Sequence, residues 1–169
     1  MFFRQFPQLA YKIDDALITV TDIFRRVVPL EKFIVQESFL ETYTLKAGER
    51  PEDLAFQLYG SAEYHWILLL INNIVDPFNE WYYTPEQLQV FVDQKYGKNE
   101  GNATHSWVMT TNTDIKVDYN AGKFSSGDIQ ELTHLQYEMS VNDARQEIKV
   151  LHPRYLNDFV AEFKQLIGQ

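Results

Sequence analysis

The sequence contains no cysteine. That excludes a disulfide framework, a thiolate metal site and a cysteine nucleophile. It leaves the redox compartment open. Glycine is sparse, with seven residues in 169. Gly48, Gly60 and Gly97 stand too far apart to form a phosphate-cradling loop. Bases are outnumbered: 15 Lys and Arg face 24 Asp and Glu, a net charge of −9. Phosphate backbones and anionic lipid surfaces need clustered cations, so neither nucleic acid nor a membrane surface is an expected partner. Long apolar runs are also missing. The longest charge-free stretch, Tyr64 to Val75, is broken by His65, Asn72 and Asn73 and falls far short of the ~20 residues of a membrane span. Met1-Phe2-Phe3-Arg4-Gln5-Phe6-Pro7 is not the start of a signal peptide. The expectation is a protein made in a cytoplasm that leaves it only as part of an assembly. The four histidines, at 65, 105, 134 and 152, share no metal-ligand spacing. No metal and no cofactor are expected, and His65 reads as a helix-face residue with a hydrogen-bond partner.

What is abundant is aromatic. Phe, Tyr and Trp number 12, 10 and 3, or 15% of the chain. Such side chains bury large areas, and Tyr and Trp favour interfaces. Leu, Ile, Val and Phe make up about 30%, well above the level at which a charged chain stays disordered. The composition fits one folded piece of something larger.

The chain reads in three parts. Residues 1–42 form an N-terminal arm, with Thr21 capping a short helix Asp22–Val27 and partly extended chain around Phe33, Val35 and Phe39. Residues 43–96 are a core plus a third helix. They hold 11 of the 25 aromatics, with eight acids against three bases. Glu41–Lys46 reads as a strand, and Ala47-Gly48-Glu49-Arg50 as a turn. Pro51 opens a helix with Glu52 and Asp53 in its first turn and Gly60 after its end. Ser61 caps a second, largely apolar helix through Ile71, expected to be central and buried. Ile74 to Tyr83 reads as a loop. Thr84-Pro85-Glu86-Gln87 is a capping box for a third helix to Tyr96. Residues 97–169 hold a β-hairpin, Ser106–Thr110 and Ile115–Tyr119, about a turn at 111–114. Turns at Asn120-Ala121-Gly122 and Ser125-Ser126-Gly127 follow. Residues 129–145 fit helix or strand. Gln146–Leu151 alternates like a strand. After Pro153, a helix carries the stripe Leu156, Phe159, Val160, Phe163, Leu166 and Ile167.

No constellation supports catalysis. Glu52/Asp53 and Asp14/Asp15 are adjacent pairs that do not face one site, Glu80 near Trp81 stands alone, and Ser125-Ser126-Gly127 is not a nucleophile elbow. The richest feature is Asp76-Pro77-Phe78-Asn79-Glu80-Trp81-Tyr82-Tyr83. It reads either as an aromatic contact or sugar-stacking surface, or as a loop whose rings fold back on the second helix. The second reading is preferred for Trp81, and an exposed role for Tyr82 or Tyr83. The candidate interface residues are Arg25, Arg26, Arg50, Asp76, Phe78, Trp81, Tyr82 and Tyr83, with no catalytic, cofactor or metal residue among them.

Two resemblances follow. Tyr43-Thr44-Leu45-Lys46-Ala47-Gly48-Glu49, two short helices and Ile71-Asn72-Asn73-Ile74-Val75-Asp76-Pro77 resemble a LysM module, a βααβ core whose members bind N-acetylglucosamine polymers. The usual Gly-Asp-Thr-Leu is here Gly48-Glu49-Arg50-Pro51, and the closing turn and strand are missing. A longer set spans most of the chain: Thr21-Asp22-Ile23-Phe24-Arg25, Arg50-Pro51-Glu52-Asp53-Leu54-Ala55, Tyr59-Gly60, Tyr64-His65-Trp66-Ile67-Leu68-Leu69, Asn72-Asn73, Asp76-Pro77, Trp81, Arg145-Gln146-Glu147-Ile148-Lys149-Val150 and the C-terminal helix. It resembles the small LysM-containing baseplate wedge proteins of contractile, T4-like phage tails. Residues 98–128 match least.

The resemblance implies an α+β fold with a LysM-like core and a non-enzymatic structural part of the virion, assembled in the host cytoplasm. It implies six copies per baseplate, clamping adjacent wedges to each other and to the central hub and tail-tube proteins. A LysM-type peptidoglycan-binding module is the alternative. The absent closing strand suggests that Gln146–Leu151 pairs antiparallel with Glu41–Lys46, with 74–145 inserted between them.

Overall fold

The computed structural model describes residues 6–14, 16–23 and 38–168. The helix expected over Asp22–Val27 lies mostly outside them, as do Arg25, Arg26, Phe33 and Val35. Thr21, expected as its cap, is the last residue of a strand.

The chain divides into two units, residues 1–81 with 147–169, and residues 82–146. This boundary differs from the division by composition at 42/43 and 96/97. The third helix belongs with the segment after it, and the closing strand and C-terminal helix return to the first unit. Backbone pairing between distant segments sets the boundary, and local composition does not record it.

In the first unit, β1 (Gln8–Ile13) and β2 (Ala16–Thr21) form an antiparallel ribbon that the sequence reading missed. Asp14 turns it at φ 53°, a left-handed value that Asp tolerates better than most residues. The amide of Asp22 donates to the carbonyl of Pro7 at 2.9 Å and closes its base. β3 (Leu40–Thr44) pairs antiparallel with β7 (Glu147–Leu151), Tyr43 opposite Ile148 and Thr42 opposite Lys149, which is the expected pairing. Between them come α1 (Pro51–Tyr59), a 3₁₀ turn (Ala62–Tyr64) and α2 (His65–Ile71). Pro51 sits in the first turn of α1, and Gly60 ends it at φ 75°, where a Cβ would be strained. Ser61 accepts from the Glu63 amide, and the His65 ring bonds the Ala62 carbonyl. The expected loop 74–83 contains a short helix, α3 (Pro77–Glu80), because Asp76 caps it and Pro77 presets its first φ. A 3₁₀ turn (Pro153–Tyr155) then leads into α7 (Leu156–Gly168), whose Phe159, Phe163 and Ile167 are buried. The core gathers Phe6, Trp66, Ile67, Ile71, Leu151, Phe159, Phe163 and Ile167. Trp66 lies 4.3 Å from the Phe163 ring. Each fully buried Leu, Ile or Phe contributes roughly 1.5–3 kcal/mol.

The outer edge of β7 is closed by side chains. Asn72 donates to the Lys149 carbonyl at 2.7 Å and accepts from its amide at 2.8 Å. The Tyr59 hydroxyl donates to the Leu151 carbonyl at 3.0 Å and accepts from its amide at 3.1 Å. Burial pushes the Tyr59 phenol upward and holds it protonated, although its bond to Leu151 works against that.

The second unit begins with α4 (Pro85–Tyr96), opened by the expected capping box at Thr84. β4 (Thr104–Met109) is central between β5 (Asn112–Val117) and β6 (Ile129–Thr133), both antiparallel to it. The β4–β5 connection is Thr110-Thr111, shorter than the four residues expected, and Asn112 belongs to β5. The two turns expected around 120–127 are the two ends of one helix, α5 (Ala121–Ser126). Asn120 caps its start and Gly127, at φ 79°, its end. Residues 129–145 contain both alternatives in succession, β6 and then α6 (His134–Ala144).

Candidate interaction surfaces

Carboxylates fasten the segment around α3. Asp76 accepts from the Phe78 amide at 3.0 Å and from the Asn79 side chain at 2.6 Å. Glu80 accepts from the amides of Val75 and Asp76 at 2.7 and 3.1 Å. The Asn79 bond foremost, with the backbone amides, holds the Asp76 carboxyl below its ordinary range against a smaller opposing effect of burial. This framework presents apolar groups outward: Val75 is 82% exposed and Phe78 85%.

Trp81 does the opposite. It is 7% exposed, and its indole N–H donates to the Glu49 carbonyl at 2.8 Å. It is a core residue tied to the turn before α1, so its place among the candidate contact residues is corrected. A buried indole needs an acceptor, and the 47–50 turn supplies one. Glu49 also orders that turn, accepting from the Tyr43 hydroxyl and the Lys46 amide. Arg50 is exposed beside it, at the N-cap position of α1. A shallow depression of about 640 Å³ is lined there by Lys46, Glu49, Glu52, Asp53 and Phe56, among others. Three carboxylates against one ammonium make it acidic.

Tyr82 and Tyr83 belong to the second unit and are half-buried. Tyr83 is held at its backbone. The buried Asn142 accepts from its amide at 2.8 Å and donates to its carbonyl at 3.1 Å. Its ring lies 5.4 Å from Phe91, and the Arg145 guanidinium 5.8 Å from its centroid. Of the candidate contact residues, Arg50, Asp76 and Phe78 fall on one unit and the two tyrosines on the other. Arg25 and Arg26 lie outside the described residues.

The structure assembles two groupings that sequence reading missed. Trp107, Tyr119 and Phe124 cluster on the sheet of the second unit, with ring centroids 4.7 and 5.3 Å from Trp107. Tyr119 and Phe124 are exposed, as is Ile115. Elsewhere in that unit, the Nδ1 atoms of His105 and His134 approach to 3.2 Å. His105 stacks on Tyr137 and His134 on Tyr96. Buried Glu138 takes hydrogen bonds from Lys95 and Tyr96, both 2.7 Å. The histidines are 29 residues apart, so no spacing rule would find the pair. Among the described residues no group of three His, Cys, Asp or Glu is placed to hold a metal, and no helix is long and apolar enough to cross a membrane.

These surfaces are apolar, aromatic or acidic, and among the described residues none converges nucleophile, base and oxyanion donors on one point. They suit protein contact.

Comparison with known proteins agrees. The Enterobacteria phage T4 protein "Baseplate wedge protein gp53" is 38% identical over 84 residues. That alignment covers 50% of this chain and 42% of the T4 protein, so the chain matches less than half the length of that relative. The comparisons lend no support to the glycan-binding alternative. The model of the family described as "Base plate wedge protein 53" matches residues 1–121. With that match over well more than half its length, the chain belongs to the base plate wedge protein 53 family and is a structural component of the phage tail base plate.

Proposed function

We propose that this chain clamps adjacent base plate wedges to each other and to the central hub, in six copies around the tail axis. The observation that carries this reading is the spread of its apolar surface. Large exposed apolar side chains occur on the β1–β2 ribbon, at Val75 and Phe78, and at Ile115, Tyr119 and Phe124. Such surfaces mark interaction sites, and a clamp needs more than one. The acidic charge suits basic neighbours. The role is non-enzymatic, and the partners are the other wedge proteins and the hub or tube proteins. We also propose that β3, α1, α2 and β7 form a LysM-like core with residues 82–146 inserted. The strand–helix–helix–strand order supports that reading.

Omitting the chain during infection tests the clamp. Wedges should accumulate unjoined, and resupplying the protein should restore six-fold base plates in electron micrographs. Normal six-fold base plates in its absence would sink the proposal.

A further inference from the structure

The two edges of the β3–β7 sheet are treated differently. The outer edge of β7 is covered at Lys149 and Leu151 by Asn72 and Tyr59. Opposite those two residues stand Thr42 and Leu40, with Thr44 opposite Glu147. Opposed residues in an antiparallel pair alternate between those that exchange hydrogen bonds and those that point theirs outward. Lys149 and Leu151 point outward, so Leu40, Thr42 and Thr44 do the same on the far side of β3. The inward pairs are Glu41 with Val150 and Tyr43 with Ile148, and the His152 amide extends that ladder to the Phe39 carbonyl at 2.9 Å. Among the described residues nothing bonds the outward amides and carbonyls of Leu40, Thr42 and Thr44. Thr42 and Thr44 are exposed. Bulges, prolines and lysines commonly blunt such an edge. The second unit uses two of these devices, with register breaks on both sides of β4 and Lys116 on its outer strand β5. β3, Leu40-Glu41-Thr42-Tyr43-Thr44, has none of them and keeps unbroken register with β7.

We propose that the outer edge of β3 takes up an extended segment of a different base plate protein as a third strand. The unmet groups are donors and acceptors at strand spacing, a pattern that extended backbone matches. The segment's side chains would lie beside the hydroxyls of Thr42 and Thr44 on one face and beside Glu41 and Tyr43 on the other. That suits β-branched residues and excludes an acid beside Glu41. A second copy does not fit. Meeting β3 edge to edge, it would be related by a two-fold axis, and neighbours in a six-fold ring are not. The inference rests on the clamp reading and adds to it a contact made through the backbone.

The test uses the full chain co-expressed with the remaining wedge proteins of its phage, with incorporation followed by size-exclusion chromatography. Site-resolved hydrogen exchange is the first readout. In the free chain the Thr42 and Thr44 amides should exchange fast, and those of Glu41 and Tyr43, paired to β7, slowly. On assembly the Thr42 and Thr44 amides should slow by roughly tenfold or more. Two variants give the second readout. T42P removes one outward amide and leaves the β3–β7 ladder intact, a position where an edge strand tolerates proline. T42V keeps that amide and loses the same Lys149 contact at the Thr42 hydroxyl. T42V should co-elute with the wedge as wild type does, and T42P should lose roughly tenfold or more of its incorporation.

Unchanged exchange at Thr42 and Thr44 on assembly would overturn the third strand and leave the clamp standing. So would equal incorporation of T42P and T42V. Should T42P fail to fold, the exchange of the wild type decides alone. Failure of wild type itself to incorporate would overturn both readings. Dimerisation of the isolated wild type, with those two amides slowed, would make a second copy the occupant and overturn the inference.

Discussion

Tyr59 and Asn72 each bond twice to the backbone of β7, at Leu151 and Lys149. Residues 149 and 151 are alternate positions, so their outward amides and carbonyls are those a third strand would take. The two side chains satisfy these groups without adding a strand edge. Substituting Asn72→Ala leaves two backbone groups without that partner and should cost about 1–3 kcal/mol, with Tyr59→Phe about 1–2. Urea melts of the full chain measure both. The histidine pair sets a pH dependence. Burial first, then the charge of Lys116 and the nearness of His134 and Lys95, holds His105 below its ordinary value near 6.5, against a weaker pull from Glu138. The unfolded chain therefore takes the proton first, so this stability is full above about pH 6.5 and lost as pH falls below it. Glu138 adds to the same trend lower down. Burial works to raise its carboxyl, but the bonds from Lys95 and Tyr96 outweigh it and leave it below 4.5. Melting temperature should fall from pH 7 to 4, and His105→Gln should flatten the upper part of that curve.

At the level of elements, the caps decide most boundaries. Thr84 and Thr133 each accept from the third helical amide, while Gln87 and Gln136 reach back to the cap's own amide. Thr133→Val should cost about 1 kcal/mol, read as a lower melting midpoint with unchanged denaturant slope. The first box was legible from Thr84-Pro85-Glu86-Gln87. The second, Thr133-His134-Leu135-Gln136, has the same pattern and would have separated β6 from α6. It was hidden because Ile129, Leu132, Leu135 and Met139 keep one helical spacing across the boundary, while Thr133 to Tyr137 fits extended chain. Asn120 and Gly127 were legible as turn residues, yet seven residues apart they are the two caps of α5. The ribbon alternates correctly at Leu9, Tyr11 and Ile13, but the sequence between its strands has no glycine of the kind that usually announces a hairpin. On the candidate surface, the aromatic density of 76–83 was legible. Which ring faces water was not: Phe78 and Trp81 are both aromatic, and the Glu49 carbonyl that accepts from the Trp81 indole is 32 residues away in the chain.

For the whole molecule, residues 82–146 form their own unit between Trp81 and β7. Replacing them with a flexible linker should leave a first unit that still unfolds cooperatively, because β3, Asn72 and Tyr59 hold β7 from within that unit. A non-cooperative melt, with the near-ultraviolet signal of Trp66 and Trp81 lost, would contradict this independence.

The sequence by itself determined the helices α1, α2 and α4, the β3 and β7 strands, the apolar stripe of α7 and the family resemblance. These rest on neighbours within one element, where spacing records the physics. It also fixed the acidic charge and the lack of thiols. Tertiary structure alone decided that Trp81 is core and Phe78 surface, that His105 meets His134, and that Asn72 covers the edge of a strand 77 residues away. Each of these depends on a partner far along the chain, and burial or pairing at such a distance leaves no local period to read.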